Sequence, residues 1–187
     1  MAKINFCGDS FCRKASAEGW PRILATALNA EIVGLGKSGS AVEHAIRSFD
    51  TQADYTVFCW TEPHRLYHPD YPISFARAEA EQNINLVYKA AYEYYKYLHD
   101  TDLTEKRYVR DLYWFDTQCL NEYEGKAIHL FCFECLYEFS NGVTFFHPLN
   151  LRRDVPFAMN NSAEVANHLT VEQNKQLADE LYECLKP

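Results

Sequence analysis

The chain has 187 residues, 48% of them hydrophobic and 15% aromatic, enough to fill one core and too few for two comfortable domains. Its 18 Lys and Arg against 26 Asp and Glu, a net charge of -8, weigh against a surface built to follow a phosphate backbone, so no nucleic-acid partner is expected. No apolar run approaches the ~18 residues of a membrane span, and Met1-Ala2-Lys3 leads into a strand and not into a signal-peptide core, so a soluble, cytoplasmic protein is expected.

In chain order, the first apolar run begins at Lys3 and stops at Gly8-Asp9-Ser10. A short run ending in Gly and then in helix-capping residues reads as a buried strand feeding a tight turn. Ser10 then stands at the carboxyl end of a strand, where open α/β sheets bind ligands. It is the candidate nucleophile. The plainer reading of Asp9 and Ser10 is an N-cap for the next helix, and only a partner elsewhere in the chain reverses that preference.

Trp20, Ile23, Leu24, Ala27 and Leu28 recur at helical spacing, with Pro21 in the first turn. Glu31 to Leu35 reads as a second strand, and Gly34, Gly36 and Gly39 mark a loop that passes close to something. Ser40 and Glu43 form a capping-box pattern ahead of Val42, Ala45, Ile46 and Phe49. Gly36-Lys37-Ser38 lacks the earlier glycine of a phosphate loop, since position 31 is Glu31, and nucleotide binding is rejected. Tyr55 to Trp60 is a nearly continuous apolar run, as expected of a strand covered on both faces. It opens into the polar stretch Thr61-Glu62-Pro63-His64-Arg65.

Residues 74 to 125 have helical composition, broken near His99 to Asp102, where Asp102 and Glu105 give a second capping signal; two long helices are expected there, as an insertion roofing the site. The tyrosines at 88, 92, 94, 95 and 97 fit half-covered helix positions better than a ring-binding surface. Ala127 to Phe133 reads as a fourth strand and Val143 to Phe146 as a short fifth after the Asn141-Gly142 turn. Leu177, Ala178, Leu181, Tyr182, Cys184 and Leu185 form the stripe of a last helix running from about Thr170, and His168 lies just before it.

Seven cysteines, an odd number scattered through apolar segments, read as core thiols in a reducing compartment. Cys132-Phe133-Glu134-Cys135 matches C-x-x-C but ends a strand, with no second pair, and the seven histidines show no ligand spacing. Neither a metal nor a cofactor is expected.

Gly8-Asp9-Ser10 near the start, a Gly-rich turn after the second strand and a His before the terminal helix resemble, in order and rough spacing over the whole chain, the SGNH (GDSL-type) hydrolases. The resemblance implies a single flavodoxin-like α/β domain over residues 1–187, a three-layer sandwich with a central parallel sheet. It also implies an esterase that cleaves an acyl or acetyl ester of a small molecule or carbohydrate. Carried over, Ser10 is the nucleophile, His168, followed by a Leu-Thr-x-x-x-Asn stretch and a helix, is the general base, and Gly39, with Gly36 as the alternative, supplies an oxyanion N–H. The chain departs from the pattern twice. Thr61 stands where the family has an oxyanion Asn, so that donor is either Thr61 or absent. Val165 stands where the family has the acid three residues before its His, so either Glu164 or a main-chain carbonyl orients His168. Arg65 and Glu62, just beyond the third strand, are candidate substrate-binding residues, Arg65 for an anionic group on the substrate. These departures keep open a second expectation, an SGNH-like binding or structural protein with little or no catalysis.

Overall fold

A computed structural model describes residues 1–133, 135–145 and 169–186. The apolar runs form strands β1 (Ala2–Gly8), β2 (Ala30–Gly34), β3 (Tyr55–Trp60), β4 (Lys126–Phe131) and β5 (Val143–Phe145). All pair in parallel, in the order β2-β1-β3-β4-β5. This order reverses direction between β1 and β3, so the crevice at the carboxyl ends of those two strands is the topological switch point of the sheet.

Alternation along the strands divides the core in two. Ile4, Phe6, Val57, Cys59, Ile128 and Leu130 pack with α1 (Trp20–Ala27) and α6 (Val171–Leu185). Cys7, Phe58, Trp60 and Ala127 pack with α2 (Val42–Arg47) and α5 (Thr101–Trp114), which continues as a π-helical turn over Phe115–Leu120. Helices therefore cover both faces of the sheet in three layers. A continuous apolar strand such as β3 needs both covers, because each face would otherwise leave large side chains in water.

The region expected to hold two long helices holds three, and they divide by role. The short α3 (Phe75–Glu81) and α4 (Leu86–Tyr97) form a separate cluster around Ile73, Ala78, Tyr88 and Ala91. In contrast, α5 places Tyr108 and Leu112 in the main core, so it is a layer of the domain and not part of an insertion. Both expected capping signals also move. Asp100, two residues before Asp102, caps α5 through Leu103 N at 2.8 Å. Helix α2 starts at Val42 behind Ala41 with no side-chain cap, because Ser40 Oγ donates to Gly8 O at 3.0 Å instead. At α6, Thr170 and Gln173 do form a reciprocal capping box. Among the described residues no helix is long and apolar enough to cross a membrane.

One buried polar group in the sheet has a measurable consequence. His129, in the middle of β4, has no exposed surface and stacks on Phe139 at 3.6 Å between ring centroids. Trp60 Nε1 donates to its Nδ1 at 3.2 Å, and its Nε2 donates to Asn141 O at 2.9 Å, which together require the neutral Nε2–H tautomer. Burial pushes its pKa from near 6.5 down to about 4, against smaller upward pulls from the Asn141 carbonyl and Asp116. The unfolded chain therefore takes a proton here that the folded chain refuses. Stability from this residue is complete above about pH 6.5 and is lost as the pH falls towards 4, by about 3 kcal/mol in all. His129→Gln keeps one donor and one acceptor but cannot titrate. Urea unfolding midpoints measured from pH 7 to 4.5 are expected to fall less steeply in this variant than in the parent chain.

Candidate functional site

The residues singled out in the first 65 positions meet at the switch point. Asp9, at the end of β1, has no exposed surface, and its Oδ1 accepts from Phe11 N at 3.0 Å, capping the single 3-10 turn Ser10–Cys12. The capping role thus falls to Asp9 and does not require the Ser10 hydroxyl. Ser10 itself is half-buried at the start of that turn.

The glycine loop is fastened against this turn by backbone bonds. Gly36 N donates to Cys12 O at 3.2 Å and Lys37 N to Gly8 O at 2.9 Å. A side chain at Gly36 would put its Cβ 2.4 Å from Asp9 O and 2.5 Å from Cys12 Sγ, so only glycine permits the approach. Gly39 adopts φ 68° with its Cα facing Pro72, where a Cβ would stand 2.5 Å from the proline Cβ. Its N–H has no acceptor among the described residues. Arg13 Nη1 reaches across to Ser38 Oγ at 2.7 Å and closes the rim beside it.

The loop after β3 supplies the third side. Thr61, buried, donates its hydroxyl to Asp9 Oδ2 at 3.1 Å, so its one side-chain proton is committed there and is not turned outward as an oxyanion donor. Arg65 also differs from the expected anchor for an anionic group. Its Nη1 lies 3.2 Å from Asp9 Oδ2 and its Nε donates to Glu62 Oε1 at 2.9 Å, so two carboxylates already share its charge. Glu62 is likewise occupied by this contact. A carboxylate as buried as Asp9 needs such a partner, because desolvating an unpaired charge is prohibitive. Two tyrosines of the covering helices hold the loop from outside: Tyr108 OH donates to Thr61 O at 2.8 Å, and Tyr95 OH donates to His64 O at 2.7 Å.

His168 and Glu164 lie outside the described residues. The residue after His168 does not: Leu169 is fully buried in the same cluster as Phe11 and Cys12, the residues that follow Ser10. It is held by Asn174, the last residue of the Leu-Thr-x-x-x-Asn stretch after His168, to which the sequence reading gives no role of its own. Asn174 has no exposed surface; its Oδ1 accepts from Trp20 N at 2.8 Å, and its Nδ2 donates to Leu169 O at 3.0 Å and to Thr170 O at 2.9 Å. A second signal for it is its place on the apolar stripe of α6, one turn before Leu177 and Ala178.

Among the described residues no group of three or more His, Cys, Asp or Glu is placed to hold a metal ion. All seven cysteines are free thiols; Cys132 is fully buried, and burial pushes its thiol up to about 11, which keeps it protonated and unreactive. A depression of about 720 Å³ lies at the opposite ends of the strands, beside Asp54, Glu122 and Lys126. It gathers none of the groups described above. Comparison of the chain with protein-family models, with curated proteins and with solved structures finds no match.

Asn174→Ala removes the acceptor of one buried N–H and the donors to two carbonyls. It is expected to lower stability by about 2–4 kcal/mol, read from urea unfolding, with the larger part of the change in the unfolding rate if α6 docks late in folding.

Proposed function

We propose that the chain is a serine hydrolase of the SGNH type that cleaves a small-molecule or carbohydrate ester through an acyl-enzyme. The observation that carries this reading is the fastening of two segments distant in sequence, the Ser10 turn and the Gly39 loop, at one sheet crevice, with Leu169 before α6 buried in the same core cluster as Phe11 and Cys12. The free thiols agree with work in a reducing compartment.

In this reaction His168 removes the Ser10 hydroxyl proton as Oγ attacks the ester carbonyl, and the carbonyl oxygen becomes an oxyanion held by the N–H groups of Ser10 and Gly39. Collapse of the tetrahedral intermediate breaks the bond to the alkoxy oxygen, which takes the proton from His168 and leaves as an alcohol. Water, deprotonated by the same His168, then attacks the acyl group, releasing the acid and regenerating the Ser10 hydroxyl. Either Glu164 or a main-chain carbonyl keeps the imidazole in the required tautomer.

A second reading, a binding protein with weak or no catalysis, draws on one observation. The hydroxyl of Thr61 is spent on Asp9, so the third oxyanion donor of the family pattern has no replacement from this residue. Loss of one such donor costs roughly 10²–10³-fold in turnover.

A fluorophosphonate probe separates the two readings, because only an activated serine attacks phosphorus. The native chain is expected to label at Ser10 and to release p-nitrophenol from short-chain p-nitrophenyl esters. Ser10→Ala abolishes both, and His168→Ala lowers turnover by on the order of 10⁴-fold or more without shifting the melting temperature. Labelling that persists in Ser10→Ala overturns the assignment. Glu164→Gln reports which group orients the base: a loss below about tenfold is the expected result and points to a carbonyl, whereas a hundredfold loss points to Glu164.

A further inference from the structure

Asp9 directly precedes Ser10 and fixes the turn through Phe11 N, yet what fixes Asp9 comes from another part of the chain. Thr61 Oγ1 and Arg65 Nη1 both reach Asp9 Oδ2, at 3.1 and 3.2 Å. The Arg65 side chain is only 13% exposed, and its orientation is set on two further sides, by Glu62 on Nε and by the ring of Phe133, 5.7 Å from Cζ. A planar guanidinium held on its Nε edge and against a ring presents Nη1 in one direction, which an ammonium on a flexible stem does not. The loop that bears it is in turn tied to α4 and α5 through Tyr95 and Tyr108.

We infer that Arg65 is a positioning residue for Ser10: it acts through Asp9, and with Thr61 it locks the nucleophile turn to the loop after β3. The role rests on the reading of Ser10 as the nucleophile. It replaces the role expected of Arg65 from the sequence, that of an anchor for an anionic substrate, because its charge is turned towards two carboxylates of the chain itself. The lock transmits the rigidity of the covering helices to the reacting hydroxyl. Its loss removes the Arg65 cation from Asp9 Oδ2, lets the turn reorient, and misplaces Oγ relative to the oxyanion donors.

Two measurements on the full chain test this, one of them independent of activity. In Arg65→Gln, kcat for p-nitrophenyl acetate is expected to fall about 10²-fold while KM stays within about threefold, since the group acts on geometry in the transition state. Arg65→Lys, which keeps the charge but not the fork, recovers about tenfold of that loss. In the same variants, amide exchange followed by NMR is expected to speed up about tenfold or more at Phe11 N–H, whose acceptor is Asp9, with the amides of β3 unchanged. A kcat within about threefold of the parent in Arg65→Gln, or unchanged exchange at Phe11, overturns the inference. If the parent chain cleaves no ester, the proposed function fails by itself, and the Phe11 exchange alone decides whether the lock on the turn exists. If Arg65→Gln does not fold, Thr61→Val carries the test: faster Phe11 exchange in the same direction supports the lock, and unchanged exchange overturns it.

Discussion

The buried carboxylate of Asp9 is the constraint around which the switch-point end of the molecule is arranged. With no exposed surface it keeps its charge only among donors. Its donors include Phe11 in its own turn, and Thr61 and Arg65 beyond β3. Satisfying them forces the turn after β1 and the loop after β3 into one relative position. That position is the mouth of the crevice where a sheet of this strand order offers a ligand site. Breaking one side of such a pair is far more damaging than its net worth suggests, because the remaining charge stays buried.

The same device recurs away from the site. Asp116, in the π-helical turn after α5, is fully buried and accepts from Tyr137 OH, Ser140 N, Asn141 N and Asn141 Nδ2. Burial alone raises its pKa, but the bonds from Ser140, Asn141 and Tyr137 outweigh this and hold it below the usual carboxylate range. Asn141, ordered in this way, offers its carbonyl to His129. A polar chain therefore runs from the end of α5 through the 137–141 segment into the centre of β4. Asn174 plays a comparable part on the other face, joining the start of α1 to the start of α6. In each case one polar side chain with all its bonds made joins segments that apolar packing alone leaves free to slide.

The covering helices take part in the site and do not merely roof it. Tyr108 sits in the main core and Tyr95 beside the smaller α3–α4 cluster, yet each donates to a carbonyl of the loop after β3. His64, in that loop, also lies 3.6 Å from Glu105 of α5 and 5.3 Å from the His99 ring. The tyrosines that composition marks as half-covered helix positions thus have a definite use: an apolar ring seated in the layer and a hydroxyl aimed at the backbone below it.

Local pattern alone specifies the set of elements and their alternation. Short apolar runs of β-branched and aromatic residues closed by Gly or polar residues identify β1, β3 and β4 to within about two residues, because strand formation there depends on neighbours along the chain. The stripe Leu177, Ala178, Leu181 and Leu185 identifies α6 for the same reason. The close approach at Gly36 is legible as well, since a glycine in a loop marks a place where the backbone passes too near its surroundings for a side chain. Whatever depends on partners far apart in the chain is settled only when the layers pack. Ser40 abandons its local cap for Gly8 O, 32 residues away. Arg65 turns to Asp9, 56 residues away. Asn174 bonds Trp20, 154 residues away. A propensity is a statement about neighbours in sequence, whereas a buried charge or amide is governed by which donor the folded chain brings within hydrogen-bonding distance, and only the packed layers specify that.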